Sequence, residues 1–215
     1  MNYDAILFDY DGTVADSIAD IAFAANRALR LAGLPERGEA EYRSFAGSGA
    51  GVLLRRAAPA GTDGETLRAL YDDYVAYYAD HANDRSRPYD GVPEMLAALK
   101  AAGLPLAVIS NKPDAAVQPG VKRFFAPWLT LAVGEKPGVR RKPFPDMLEA
   151  AAAEMGVSLP RCLYVGDTEV DAATAKNAGM DAAIVGWGYR DRDFLLAHGA
   201  KEVLDTPDRL LEKIL

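Results

Sequence analysis

A short apolar run, Ala5-Ile6-Leu7-Phe8, ends in two carboxylates one residue apart and then in a turn, Asp9-Tyr10-Asp11-Gly12-Thr13. A run of this kind reads as a buried strand, and alternate side chains along a strand point the same way, roughly 6.5–7 Å apart. Two carboxylates aimed into one pocket repel by about 4 kcal/mol if they come within ~4 Å at an effective dielectric near 20. A fold tolerates such a pair when a cation lies between them or when one carries a proton, and both arrangements are ways in which carboxylates do chemistry. The plainer alternative is a solvated strand end with Asp11-Gly12 as its turn. The rest of the chain decides between the two.

Further apolar runs, Leu106–Ile109, Leu129–Val133, Cys162–Val165 and Ala182–Val185, alternate with segments of helical period over Pro93–Ala102, Asp114–Phe125, Pro143–Met155 and Glu169–Ala178. Strands alternating with helices predict an α/β fold with a parallel sheet covered on both faces. Gly103, Gly156 and Gly179 each stand where a helix needs a left-handed stop. From about Ala15 to Arg87 no strand-like run occurs. Ile18, Ile21, Ala22, Ala25, Leu29 and Ala32 instead form one helical stripe, and Leu67, Leu70, Tyr71, Tyr74, Val75 and Tyr78 a second. So long a helical stretch exceeds an ordinary crossover. The expected architecture is a Rossmann-like parallel-sheet core over residues 1–14 and 86–215, with an all-helical cap domain over residues 15–85 inserted after the first strand. The tyrosines of the second stripe are read as cap core rather than as ligand contacts.

Ligands of open α/β sheets bind beyond the carboxyl ends of the strands. Three further strand ends carry polar chemistry. Ile109-Ser110-Asn111-Lys112 combines a hydroxyl with amide donors beside a helix start, which is either an anion site or a polar turn capped around Asp114. In Arg141-Lys142-Pro143-Phe144-Pro145-Asp146, Pro143 fits a first helical position. Lys142 just outside it would face a positive dipole end, unless it serves an anion or is an ordinary surface lysine. Val165-Gly166-Asp167-Thr168-Glu169-Val170-Asp171 places Asp167 at a strand end and Asp171 one turn into a helix. The Thr168 to Asp171 spacing also fits a capping box, and the two roles are compatible.

Paired Asp, then Ser-Asn, then Lys-Pro, then Gly-Asp with a second Asp, in this order, resembles the haloacid dehalogenase superfamily of phosphohydrolases. Phe8 to Ser17, the cap segment Gly47-Ser48-Gly49-Ala50-Gly51 followed by Val52 to Ala57, and Pro88-Tyr89-Asp90-Gly91-Val92 are similar to its phosphoglycolate phosphatase branch. The resemblance implies that Asp9 attacks phosphorus to form an aspartyl-phosphate. Asp11 would protonate the leaving oxygen and then activate the hydrolytic water. It further implies a magnesium ion held by Asp9, the main-chain carbonyl of Asp11 and Asp167, with Asp171 orienting the metal's water or the Lys142 ammonium. Ser110, the amide of Asn111 and Lys142 would neutralise the phosphoryl oxygens, with Gly12 and Thr13 among the substrate contacts. Gly47, Ser48, Gly49 and Arg55 (or Arg56) are the expected cap contacts. Closure of the cap would turn on hinges near Val14–Asp16 and Ser86–Asp90. Val133 to Val139 has an unusual spelling for this family and receives no role.

The second aspartate argues against haloalkanoate dehalogenation, in which halide leaves without a proton. The absence of lysine from residues 15–85 argues against phosphonate cleavage through a cap Schiff base. A formal charge of −7 with no basic tract argues against nucleic acid as a partner. No apolar stretch approaches the ~18 residues of a membrane span. The single cysteine, Cys162, suits a reducing compartment, and a cytoplasmic monomer or homodimer is expected. The leading function is magnesium-dependent hydrolysis of a small phosphomonoester, 2-phosphoglycolate first. Alternatives are a pyrophosphatase or a nucleotide or sugar monophosphatase on the same residues, and, in a different class, a phosphate-sensing or partner-binding protein with a vestigial site.

Overall fold

The computed structural model describes residues 3–215. In chain order its elements begin with β1 (Ala5–Phe8), β2 (Ala15–Asp16), α1 (Ile18–Leu31), α2 (Glu39–Phe45), α3 (Ala50–Ala57), α4 (Gly64–His81) and β3 (Arg87–Pro88). They continue with α5 (Val92–Ala101), β4 (Leu106–Pro113), α6 (Asp114–Phe124), β5 (Leu131–Glu135), α7 (Asp146–Met155) and β6 (Cys162–Gly166). The last are α8 (Glu169–Asn177), β7 (Asp181–Val185), α9 (Arg192–Ala197), β8 (Val203–Leu204) and α10 (Pro207–Ile214).

Six strands form one parallel sheet in the order β5-β4-β1-β6-β7-β8. The alternation of β1 sets its layers: Ile6 and Phe8 pack with α5, α6 and α10 on one face, Ala5 and Leu7 with α7 and α8 on the other. Because β1 lies between β4 and β6, the chain reverses its direction of travel across the sheet there, and the crevice beyond its carboxyl end is the natural ligand position. Helices α1–α4 enclose a separate apolar cluster, which Ala116 and Tyr189 of the core join. A two-stranded antiparallel ribbon, Ala15 against Pro88 and Asp16 against Arg87, ties the entry and exit of this helical insert together.

Besides the short strands β2 and β3, which bound a stretch read as free of strands, three elements depart from the sequence reading. Strand β4 does not stop at Ile109 but continues through Ser110-Asn111-Lys112 to Pro113, with its register against β5 shifting over that stretch. The next strand begins at Leu131 rather than Leu129, because the amides of Trp128 and Leu129 still bond to the Phe125 carbonyl at 3.0 and 3.1 Å and prolong the turn after α6. Helix α7 starts at Asp146, so Pro143 is not a first-turn residue; it follows a cis peptide bond in an irregular segment. Lys142 is therefore not set against a helix dipole, and the reason for its position lies in the acids around it.

Asp20 fastens the insert to the ribbon. Its carboxylate, 2% exposed, accepts from the amides of Arg85 (3.0 Å) and Ser86 (2.8 Å) and from the Ser86 hydroxyl (2.7 Å). Removing an acceptor that serves several buried donors leaves them unpaired. Asp20→Ala is expected to cost about 2–3 kcal/mol, a fall of roughly 5–10 °C in Tm, while Asp20→Asn, which keeps one acceptor oxygen, costs less. Thermal denaturation of the two variants checks this, and equal Tm values would contradict it.

Candidate active site

The carboxyl ends of β1 and β6 and the segment before α7 bring Asp9, Asp167, Asp171 and Lys142 together. One oxygen from each of the three acids lies within 4.8 Å of the others, and all three residues are buried. The Lys142 ammonium sits among them, 2.9 Å from Asp9 Oδ1, 2.8 Å from Asp171 Oδ1 and 2.9 Å from the Tyr164 hydroxyl. Asp9 Oδ1 also accepts from the Tyr10 amide at 2.6 Å. Its Oδ2 has no hydrogen-bond partner among the described residues, and Asp9 lines the cavity between core and cap.

Each acid has its own support. Asp167 accepts from Thr13 Oγ1 (3.0 Å) and from the Tyr189 amide (2.7 Å). Gly12, at φ 85°, packs so tightly on it that a Cβ would come within 2.3 Å of Asp167 Oδ2, and a Cβ on Gly188 would come within 2.4 Å of the same atom. Glycine is needed at both places for that close approach. Asp171 and Thr168 form the expected reciprocal cap: Thr168 Oγ1 accepts from the Asp171 amide, and Asp171 Oδ2 accepts from the Thr168 amide at 3.1 Å and hydroxyl at 2.6 Å. With Oδ1 on Lys142, both Asp171 oxygens are engaged. Of the two roles the sequence left open for Asp171, this geometry suits orientation of the ammonium.

The electrostatics follow from burial. Loss of water pushes the Asp9 carboxyl up to about 7, against the pull of Lys142 and with the repulsion of Asp171 and Asp11 adding to the rise. Burial, then the negative charges of Asp171 and Asp9, put Asp167 well above the usual carboxylate range. Burial alone would lower the Lys142 ammonium, but Asp171 and Asp9 hold it well above the ordinary lysine value. One ammonium among three buried carboxylates leaves negative charge uncompensated. The donors are all oxygen, which fits a hard divalent cation such as magnesium between Asp9 and Asp167. The Asp11 carboxylate is not among them. Its Oδ1 accepts from Ser17 Oγ (2.5 Å) and Lys112 Nζ (3.0 Å), and its Oδ2 has no hydrogen-bond partner among the described residues.

A small cavity of ≈ 40 Å³ opens beside this cluster. Asp9, Asp11, Ser110, Asn111 and Lys112 form its core side; Ile21, Ala46, Gly47, Gly49, Ala50, Leu53, Tyr74 and Tyr78 form its cap side. The Asn111 side chain is committed to structure: it donates to the Gly47 and Lys142 carbonyls, both at 3.1 Å, and accepts from the Lys142 amide at 2.8 Å. Gly12 and Thr13, expected as substrate contacts, instead shape Asp167. Ser48 is half-buried beside the cavity rather than lining it. Arg55 is exposed on α3 and away from the lining, and Arg56 bonds to the carbonyls of Ser44 and Phe45. The cation that does meet the cavity is Lys112, and the cap tyrosines Tyr74 and Tyr78, read from sequence as core alone, are both core and lining. Arg190 was also missed. It is 7% exposed, its guanidinium bonds to the cap carbonyls of Arg43 and Ala46, and its Nε pairs with Glu169 of the core at 2.9 Å. It follows the carboxyl end of β7, so the strand-end rule applied to Gly186-Trp187-Gly188-Tyr189-Arg190 was the available signal.

An acid whose folded pKa is raised stabilises the fold below its unfolded value and loses that contribution as pH climbs through the folded value. For Asp9 the window runs from 3.8 to about 7. In chelator, Asp9→Asn should therefore gain Tm relative to the parent protein between about pH 5 and about pH 8, and magnesium should shrink that gain. A Tm difference that stays flat over this range would contradict the burial of an uncompensated charge at Asp9.

A family model of haloacid dehalogenase-like hydrolases matches residues 6–185. The chain is 34% identical over 215 residues to the N-acetylmuramic acid 6-phosphate phosphatase of Pseudomonas aeruginosa, covering 99% of this chain and 95% of that protein. It is 36% identical over 206 residues to the phosphoglycolate phosphatase of Rhodobacter capsulatus, covering 92% and 91%. Its fold superposes with a TM-score of 0.93 on the crystal structure of a candidate phosphoglycolate phosphatase from Lactobacillus delbrueckii subsp. bulgaricus, at 34% identity and over 100% of this chain and 99% of that one. The buried acids at the carboxyl ends of this sheet thus stand on a family match that spans most of the sequence: the chain belongs to the haloacid dehalogenase-like hydrolases.

Proposed function

We propose that the chain hydrolyses small phosphomonoesters through an aspartyl-phosphate on Asp9, with magnesium as cofactor and 2-phosphoglycolate as substrate. Its standing as a phosphoric monoester hydrolase rests on the family and on the phosphatases among its relatives. The observation that supports the nucleophile is the asymmetry of Asp9, a residue that lines the cavity: Oδ1 is pinned by Lys142 and the Tyr10 amide, and Oδ2 has no hydrogen-bond partner among the described residues. Oδ2 would attack phosphorus in line, the P–O ester bond would break, and Asp11 would give its proton to the departing oxygen. Asp11 would then take a proton from the water that hydrolyses the acyl phosphate. Its Oδ1 is already held by Ser17 and Lys112, which leaves Oδ2 for this exchange. Ser110 and Lys142 would neutralise the phosphoryl oxygens, and Asp171 would hold Lys142 in place. Asp9 and Asp167 would hold magnesium, whose positive charge would let an anionic nucleophile approach a phosphate dianion. Residues 15–85 would act as a lid moving on the β2–β3 ribbon against residues 1–14 and 86–215.

The cap side of the cavity speaks for a short leaving group. Ile21, Ala46, Ala50 and Leu53 offer a polyol no partners, which leaves only the Tyr74 and Tyr78 hydroxyls of the cap side chains for its several hydroxyls. That disfavours an amino-sugar phosphate, the second reading suggested by the relative from Pseudomonas aeruginosa.

Phosphate release tests the proposal, with and without magnesium, on 2-phosphoglycolate, N-acetylmuramic acid 6-phosphate, pyrophosphate and nucleoside and hexose monophosphates. The expected result is metal-dependent turnover with 2-phosphoglycolate preferred, and a loss on the order of 10³-fold or more in folded Asp9→Asn protein. An active Asp9→Asn enzyme would remove the nucleophile assignment, and preference for the amino-sugar phosphate would remove the substrate.

A further inference from the structure

Lys112 is the cation that the mechanism above does not use for phosphate, although among the described residues lining the cavity it is the only positively charged one. It is 4% exposed near the carboxyl end of β4. Its ammonium donates to Asp11 Oδ1 at 3.0 Å and to the Tyr78 hydroxyl at 2.7 Å. It also lies 4.9 and 4.7 Å from the ring centres of Tyr10 and Tyr78. An ammonium has three N–H donors, and these contacts engage two of them. The Tyr78 hydroxyl, accepting from Lys112, keeps its own proton to give.

Asp11 fixes where the ester oxygen of a substrate must lie, because it hands that oxygen a proton. A group on the adjacent carbon is two bonds away from that oxygen, and the Lys112 ammonium is one hydrogen bond from Asp11. A carboxylate at that carbon would need a cationic partner in this cavity, since Asp9 and Asp11 repel it and burying it unpaired is costly. Arg55 and Arg56 lie outside the lining. We infer that Lys112, with the Tyr78 hydroxyl, receives a carboxylate borne on the carbon next to the ester oxygen, so that the site selects O-phosphate esters of α-hydroxy acids. The inference rests on the Asp9–Asp11 phosphatase reading and narrows it to a substrate class and to the residue that reads it. A carboxylate farther along the leaving group, or a hydroxyl in its place, misses this partner.

The test compares kcat/KM for 2-phosphoglycolate with that for 2-hydroxyethyl phosphate, which replaces the carboxylate by an alcohol. A third substrate, 3-phosphooxypropanoate, moves the carboxylate one carbon away. The parent enzyme should prefer 2-phosphoglycolate over both. Lys112→Met should reduce the ratio of 2-phosphoglycolate to 2-hydroxyethyl phosphate by roughly 10- to 100-fold, chiefly by raising KM for the acid, and Lys112→Arg should restore part of it. Tyr78→Phe should erode the same ratio to a smaller extent. Equal losses on both substrates in Lys112→Met would overturn the inference, leaving Lys112 as a support for Asp11 only. Should that variant not fold, the parent enzyme alone decides: indifference to the presence or position of the carboxylate overturns the proposal. Failure of the underlying phosphatase reading looks different, since then no ester is turned over or Asp9→Asn keeps its activity.

Discussion

The Lys142 ammonium, buried between Asp9 and Asp171, is the interaction on which the rest of the centre depends. Lysine is almost never fully buried without a partner, and here two carboxylates and a tyrosine hydroxyl surround it. Taking these charges out of water costs several kcal/mol per ion, which good geometry and extra hydrogen bonds must offset. The structure supplies both: Asn111 clamps the Lys142 backbone from one side, and the Thr168 cap holds Asp171 from the other. The outcome is an Asp9 whose one oxygen is fixed and whose other is free. Asp167, with no ammonium of its own, is the point at which positive charge is still wanted.

The same residues couple the cap to the chemistry. Ser17, at the start of the insert, bonds to Asp11 and to the Tyr189 hydroxyl. Asn111 reaches the Gly47 carbonyl, Lys112 reaches Tyr78, and Arg190 spans from Glu169 to the last carbonyls of α2. Each contact joins a core side chain to a backbone carbonyl or hydroxyl of the insert. The groups beside the cavity are therefore held in place from both the core and the insert.

Much of this was legible in the sequence because the fold places function beside strong local signals. Asp9, Ser110 and Asp167 each follow an apolar run, and the strand-end rule brings them to one edge of the sheet without any knowledge of loop geometry. The capping spacing likewise placed Asp171. What escaped depends on longer-range packing. Pro143 looks like a helix start, but α7 begins at Asp146, and only the buried acids explain Lys142. Arg55 looks like a substrate contact because it is cationic and near the cap loop, yet its helix turns it outward, while Lys112 reaches the cavity because β4 continues beyond its apolar run. Tyr74 and Tyr78 satisfy a helical stripe and line a cavity at once, and periodicity alone gives no means of telling a core tyrosine whose hydroxyl is free from one whose hydroxyl meets a ligand.

In the proposed mechanism phosphorus passes to Asp9 and to no other group. An acyl phosphate is reduced by borohydride to an alcohol, so enzyme quenched with borohydride during turnover of 2-phosphoglycolate should yield homoserine at position 9 when its peptides are sequenced by mass spectrometry. The modification should need both magnesium and substrate. Homoserine at position 11, or a chain unmodified at position 9 in a sample that is turning over and saturated with substrate, would contradict the account.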